Sequence, residues 1–418
     1  MKDAIIRDAA LPRFAPADWP LEAGEPRADR PVPVVTGLRK ELIRLGIWRS
    51  LALHAWALYR SPRGAVAALG MLARARDAAA GRLKPRKYVL VGGRAFFSLR
   101  APGWPSPAFD RYADLELNRV KRLRPDRGLQ TAILAITKRC GLGCAHCSEW
   151  DTLRQLDALS VGDLLEIVRR LQAAGTPQIQ ISGGEPLLRL DAVEAICQSA
   201  RSACDLWVLT SGAPLTAGVA RRLRAAGATG VTVSLDHWNP AEHDAFRGIA
   251  GTFDRAVLGT QHAAEEGLVV ALSLTATRSF VSADNLERYA ALAKRLGVGF
   301  IQVLEPRAVG RWAGADVALS DGQLALLERF DHTMNQEQPE MPLVDYPGLG
   351  QRRDGCWGAG DRYLFVDADG GVHACPFCRG TAGNCLAESL GALRGRLRVR
   401  GCHVYASATA DSASRAVA

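Results

Sequence analysis

The chain has 418 residues, 48% of them hydrophobic and 23% charged, with a formal net charge of +10. Such a length holds two or three domains with sizeable cores, and the composition excludes a disordered or low-complexity chain. The opening residues Met1 to Asp8 lack an apolar signal-peptide core, and the most lipid-like stretch, Gly46–Tyr59, is broken by Arg49 and His54 and is too short to span a bilayer, so a cytoplasmic, non-spanning protein is expected.

Residues 1–128 read as a basic extension: the first 130 positions hold 25 Lys and Arg against 12 Asp and Glu. Poor order is expected at its Pro-rich start, two helical stretches over 38–80, and a small hairpin from Tyr88–Val91 and Arg94–Leu99 around a Gly92–Gly93 turn. A helix near 107–122 leads onward. From residue 129 to 340 a rhythm of apolar strand and helix repeats six times. The strands are Thr131–Thr137, Pro177–Ser182, Leu206–Thr210, Val231–Leu235, Leu268–Leu274 and Phe300–Leu304. Helices are expected from Ser160 (a capping box with Asp163) to about Ala174, near 190–203, at 216–226, 243–266, 285–296 and 321–335. Continuous apolar strands of this kind are buried and parallel, and right-handed crossovers wind them into an α/β partial (βα)6 barrel with a lateral opening. Residues 341–405 form a small Cys-rich unit, and 406–418 a polar tail expected to be disordered.

Ten cysteines without a secretory signal point to metal or redox chemistry. Cys197 and Cys204 lie in a helical context and read as small apolar core residues. Cys140, Cys144 and Cys147 crowd the loop after the first strand. Three thiolates can hold three irons of a cubane cluster and leave the fourth iron open to a small chelating molecule. A zinc knuckle completed by His146, a catalytic zinc and a coincidental cysteine loop are the competing readings.

The surroundings of that loop favour the cluster. Cys-x3-Cys-x2-Cys after the first strand, with Ser182-Gly183-Gly184-Glu185-Pro186 after the second, resembles the radical S-adenosylmethionine superfamily over about 130–310. The resemblance implies a 4Fe–4S cluster on Cys140, Cys144 and Cys147. It implies that S-adenosylmethionine is held by Gly183, Gly184 and Glu185 at its amine and by Ser211, in Thr210-Ser211-Gly212, after the third strand. Ser234 and Asp236 end the fourth strand as polar contacts, Arg247 follows as a carboxylate partner, and Val303 lies on the sixth strand, where relatives pack the adenine largely with backbone. His146 stands where relatives usually carry an aromatic residue. An imidazole there can stack or hydrogen-bond.

The segment from Cys356 through Gly370 to Cys375 resembles the opening of the SPASM/twitch extension, which holds auxiliary iron–sulfur clusters. Five cysteines suffice for one further 4Fe–4S cluster. Cys356, Cys375, Cys378 and Cys402 are the expected ligands and Cys385 the spare. A structural zinc site and a redox dithiol at Cys375–Cys378 compete. The resemblance implies a radical enzyme that draws on an external one-electron reductant of flavodoxin or ferredoxin type. The substrate is unidentified: a small metabolite to be oxidised or rearranged is favoured over a peptide, and a non-catalytic electron carrier is the reading from another class. Lys138, His237, Glu305 and Arg307 are candidate substrate contacts. The basic, apolar-interleaved residues 38–80 suit an anionic membrane surface or plain packing on the barrel, whereas nucleic acid is not expected without an aromatic platform.

Overall fold

The computed structural model describes residues 30–79, 85–121, 128–200, 204–356, 358, 360, 362–402 and 404–405. The expectations of poor order at the very start and of a disordered 406–418 tail fall outside these residues.

The N-terminal part begins with β1 (Val34–Val35), α1 (Gly37–Tyr59) and α2 (Pro62–Ala79), followed by β2 (Tyr88–Val91), β3 (Arg94–Phe96) and α3 (Pro107–Lys121). The three strands form an antiparallel sheet in the order β1-β2-β3. Gly92 and Gly93 both take positive φ (57° and 77°), which is why the two-residue turn demands glycine.

The remainder is built on β4 (Thr131–Ala135), α4 (Val161–Ala173), β5 (Gln178–Ser182), α5 (Leu190–Ala200), β6 (Asp205–Thr210), α6 (Ala217–Ala226) and β7 (Gly230–Ser234). It continues through α7 (Pro240–Arg247), α8 (Thr252–Glu265), β8 (Val269–Thr275), α9 (Ala283–Arg295), β9 (Phe300–Leu304), α10 (Asp321–His332) and β10 (Leu343–Asp345). The chain then runs through α11 (Pro347–Asp354), β11 (Tyr363–Val366), β12 (Val372–His373) and α12 (Leu390–Arg400). Strands β4 to β9 lie side by side and parallel, as the apolar runs predict. The helices bury one stripe against them. In α4, for example, Leu164, Ile167, Val168 and Leu171 recur at helical spacing and are fully covered.

Two features depart from the sequence reading. The six-strand sheet is extended at both edges, because β10 runs parallel beside β9 and β11 parallel beside β4, with β12 antiparallel beyond it. Chain from the Cys-rich segment therefore continues the barrel's own sheet. The expected helix over 243–266 is two helices, since Gly248 (φ 76°) and Gly251 (φ 77°) turn the backbone left-handed between α7 and α8.

The N-terminal sheet docks at the amino ends of the barrel strands. Arg94 on β3 grips Asp205 at the start of β6 (2.5 and 2.6 Å), and Phe96 meets Trp207 edge to face. Lys87 is buried, with Nζ donating to the carbonyls of Met334 (2.7 Å), Gln338 (2.8 Å), Met341 (2.5 Å) and Pro342 (3.2 Å). This side chain ties the extension to the connection between α10 and β10. Lys87→Met keeps the aliphatic stem but strips four carbonyls, three of them buried, of their donor. We expect a loss of about 3 kcal/mol in urea unfolding at unchanged m-value. A midpoint equal to wild type would show that those carbonyls find other donors.

Candidate active site at the carboxyl ends of the strands

The stretch 137–147 leaves β4 without helix or strand structure, and its backbone groups are satisfied from three directions. From the end of β5, the amides of Gly184 and Glu185 donate to the carbonyls of Thr137 and Arg139 (both 2.8 Å). From the end of α7, the carbonyls of Phe246 and Arg247 accept from Ala145 (2.9 Å) and Gly143 (3.1 Å). From the turn Gly310–Trp312 after β9, the Arg311 amide donates to Cys147 O (3.0 Å) and its guanidinium to Gly143 O (2.5 Å). Glycine is required at these approaches. A Cβ on Gly184 would sit 2.3 Å from Arg139 O, and one on Gly248 2.8 Å from Gly143 O.

This clamp sets Cys140, Cys144 and Cys147 on the wall of a cavity shared with Gly183, Gly184, Ser211, Ser234, Asp236 and Arg247. Burial and the neighbouring Cys144 sulfur push the Cys147 thiol up to about 12, and Cys140 is raised for the same two reasons. Such thiols are protonated at neutral pH on their own and give up their protons only to a bound cation. Among the described residues no three His, Cys, Asp or Glu side chains converge as ligands of a single ion. Three soft sulfurs around one cavity fit an iron–sulfur cluster in chemistry and number.

The other expected contacts sort into distinct positions. Glu185 is buried, and its carboxylate accepts from Thr210 Oγ1 (2.8 Å), Ser211 N (2.8 Å), Ser211 Oγ (2.5 Å) and Leu187 N (3.1 Å). Burial raises its pKa and these hydrogen bonds oppose the rise. All four donors are neutral, so its charge has no cationic partner among them. Arg247 is turned toward Asp236 and Cys144, ion-paired with the carboxylate and 3.5 Å from the sulfur. His146 stacks on Phe246 (centroids 4.7 Å apart, 7° between planes) with Trp312 tilted beside it. Burial depresses its pKa to about 4, so the ring is neutral at physiological pH. Its Nδ1 is buried with no hydrogen-bond partner among the described residues, an orphaned polar atom at the cavity wall.

The Val303 side chain is buried in the core against the helices, while its neighbours Gln302 and Leu304 line the cavity, because successive residues of a strand face opposite sides, so a contact at Val303 falls to its backbone. Two expectations need correction. Lys138 reaches Asp369 (2.7 Å) and lines a separate cavity with Asp367, His373 and Arg379. His237 belongs to a third cavity with Trp238 and Phe280. Glu305 and Arg307 do line the main cavity, where Glu305 is held by Tyr346 (2.8 Å) and Arg352. Sequence reasoning missed Thr232, Ser273 and Thr275 on the strands, and Pro376 and Phe377 from the Cys-rich segment, all of which line the same space. Polar residues within otherwise apolar strands were the available signal for the first three.

Of the later cysteines, Cys375 and Cys378 sulfurs are 3.5 Å apart. The hydrogen bond shared with Cys378 draws the Cys375 thiol down to about 7. Burial, with Cys402 and Cys375 close by, pushes Cys356 up to about 12. Cys356, Cys375, Cys378 and Cys402 thus lie close together, whereas Cys385 is buried in the core and raised chiefly by burial, with Arg170 opposing. Cys197 and Cys204 are core residues, as expected.

A three-thiol loop clamped beneath a glycine-rich strand end, at the carboxyl face of a parallel sheet, defines an iron–sulfur enzyme of partial-barrel type. The profile of the radical SAM superfamily matches residues 134–301. The chain is 31% identical to the mycofactocin maturase MftC of Mycolicibacterium smegmatis over 63% of its own length and 70% of that protein. It is 26% identical to the AdoMet-dependent heme synthase of Methanosarcina barkeri, over 60% of this chain and 77% of that one. SuiB of Streptococcus suis, bound to its precursor peptide SuiA, shares the fold with a TM-score of 0.55 at 16% identity, covering 69% and 72% of the two chains. The chain belongs to the radical SAM superfamily, whose cofactors are a 4Fe–4S cluster and S-adenosylmethionine, and it is an enzyme.

Gly248→Ala tests the clamp. The substitution strains a left-handed position, costing about 1–2 kcal/mol, and drives a methyl group at Gly143 O. Iron bound on anaerobic reconstitution should fall well below wild type while circular dichroism stays native. Full iron loading would show that α7 does not set the loop.

Proposed function

We propose that Cys140, Cys144 and Cys147 hold the catalytic cluster and that the substrate lies between this loop and Pro376–Phe377. The observation that carries the reading is the shared cavity, lined both by the three cysteines and by Pro376 and Phe377, the two residues between Cys375 and Cys378. When bound, the cluster supplies one electron to the sulfonium of S-adenosylmethionine, which releases methionine and a 5′-deoxyadenosyl radical able to abstract hydrogen. The chain's own contribution is placement. The Gly183–Gly184 backbone admits the methionine end closely, and Glu185 offers an uncompensated negative charge to its ammonium. Ser211 and Ser234 present hydroxyl groups from neighbouring strand ends. His146, neutral and stacked on Phe246, presents a polar edge. Cys356, Cys375, Cys378 and Cys402 hold one auxiliary 4Fe–4S cluster in a twitch-like unit over 341–405, supported by the mutual influence of these four thiols and by the separate position of Cys385. An external reductant of flavodoxin or ferredoxin type supplies the electron.

For the substrate we infer a small metabolite that is oxidised or rearranged, with Glu305 and Arg307 as its polar contacts at the cavity wall. Peptide modification is the second reading, favoured by the maturase relatives. Wild-type protein with dithionite should convert S-adenosylmethionine to 5′-deoxyadenosine and methionine, and each of Cys140→Ala, Cys144→Ala and Cys147→Ala should abolish this. A low-molecular-mass cell extract should stimulate turnover in the wild type, and protease treatment of that extract should leave the stimulation intact. Stimulation destroyed by protease would move the assignment to a peptide, and turnover in any cysteine variant would overturn the ligand set.

Residues 38–80 we assign to contact with an anionic membrane surface. On α1, Leu38, Leu42, Leu45, Leu53 and Trp56 all lie on the solvent side and are more than half exposed (52–78%), opposite the buried Ile47, Leu51 and Ala55. Arg39 and Arg49 on α1, Arg60 just after it and Arg63 on α2 are also exposed. No helix among the described residues is long and apolar enough to cross a membrane, so the face suits lying on one. The protein should sediment with phosphatidylglycerol vesicles and not with phosphatidylcholine vesicles, with binding lost as salt rises. Leu42→Ser/Leu45→Ser should weaken it about tenfold or more, since each leucine removes about 1.5–3 kcal/mol of apolar burial. Equal recovery with both lipids would eliminate the anionic surface as partner.

A further inference from the structure

The middle cysteine of the loop touches a buried ion pair. Arg247 Nη1 is 3.5 Å from Cys144 Sγ, and Nη2 pairs with Asp236 Oδ2. Both members are buried, Arg247 at 6% and Asp236 at 5% exposure, so neither is screened by bulk water. Their geometry is held from behind. Asp236 Oδ1 accepts from the Thr275 amide (3.0 Å), and the Asp236 amide donates to His243 Nδ1 (3.2 Å). The carbonyl of Arg247 meanwhile accepts from Gly143, one residue before Cys144. One residue at the end of α7 therefore holds the loop through its backbone and reaches the loop's sulfur through its side chain. Burial opposes charge on both groups, yet each keeps the other ionised, with the Asp236 carboxyl below and the Arg247 guanidinium above its ordinary value.

A thiolate at Cys144 would lie against a permanent cation whose N–H is aimed at the sulfur. Hydrogen bonds to sulfur and nearby charge are among the levers that set iron–sulfur reduction potentials, and outer partners of ligands orient them. Reduction adds negative charge to the centre, so the guanidinium favours the reduced state. The Asp236 carboxylate behind it offsets part of that effect. We propose that Arg247, oriented by Asp236, is a positioning residue for the iron–sulfur centre, fixing Cys144 and raising the centre's reduction potential through an N–H···S contact. The proposal rests on the reading of Cys140, Cys144 and Cys147 as ligands. It differs from a role of Arg247 at the methionine carboxylate, because it acts with no S-adenosylmethionine present.

The test is a redox titration of anaerobically reconstituted full-length protein, followed by electron paramagnetic resonance without S-adenosylmethionine. The catalytic signal is identified as the one missing from the Cys140/Cys144/Cys147→Ala triple variant. Arg247→Gln should lower its midpoint by a tenfold change in the reduction equilibrium, about 59 mV for a one-electron couple. Asp236→Asn should raise it, since the guanidinium is then uncompensated, and Arg247→Lys should fall between Arg247→Gln and wild type. Two variants that break the same ion pair and shift the potential in opposite directions cannot do so by a shared loss of packing. Midpoints equal to wild type, or shifts of the same sign in Arg247→Gln and Asp236→Asn, overturn the proposal. Where Arg247→Gln gives no catalytic signal, Asp236→Asn and Arg247→Lys decide by the same signs. A wild-type protein with no catalytic signal removes the ligand reading itself, a failure distinct from an unshifted midpoint.

Discussion

The site depends on a backbone clamp. Residues 137–147 carry peptide groups that no helix or strand satisfies internally, so neighbouring strand and helix ends must supply the partners. Three ends do so: β5 through Gly184 and Glu185, α7 through Phe246 and Arg247, and the turn after β9 through Arg311. The anchoring continues at the loop's root, where Asp157 accepts from Thr137 Oγ1 (2.9 Å) and the Lys138 amide (2.8 Å). The thiols are aimed by this network and by the glycines that permit such close approach. A small movement of any of the three ends would be passed directly to a sulfur.

The same clamp couples binding groups to one another. Glu185 joins the β5 end to Thr210 and Ser211 at the β6 end, and Asp236 joins the β7 end to Thr275 at the β8 end. A ligand that draws on Glu185 therefore also pulls on Ser211, whose hydroxyl shares the carboxylate. Preorganisation of this kind lets the strand ends meet a ligand with little rearrangement of their own.

The Cys-rich segment takes its place from sheet pairing. Because β11 adds to β4 in parallel register, with Tyr363 opposite Thr131, the chain after it emerges beside the first cysteine loop. Asp369 then meets Lys138, and Arg379 meets Glu149 (3.1 Å), so the two cysteine-bearing segments are pinned across a short gap. Lys138 is thereby used as a strut between them, which is why it is not free to face the main cavity.

Much of this was legible in the sequence. Parallel strands buried on both faces must be apolar throughout, and the runs around Ile133, Ile179, Val208, Val231, Leu272 and Ile301 announce themselves. Cys140, Cys144 and Cys147 were legible because closely spaced thiols on a strand-end loop have few other uses. The left-handed glycines that split α7 from α8 were written in the chain, but a helix tolerates isolated glycines, so the break appears only where Gly248 must pass Gly143. Local pattern determined the six parallel strands, their order and the close spacing of the three thiols, since these follow from periodicity and from spacing within a few residues. Tertiary structure alone decided that β10 and β11 extend the barrel, that Lys138 and His237 face adjoining cavities, that the side chains of Gln302 and Leu304 line the site, and that Arg247 reaches Cys144. Those outcomes depend on which distant edges pair and which strand face turns inward, and neither is specified by residues adjacent in the chain.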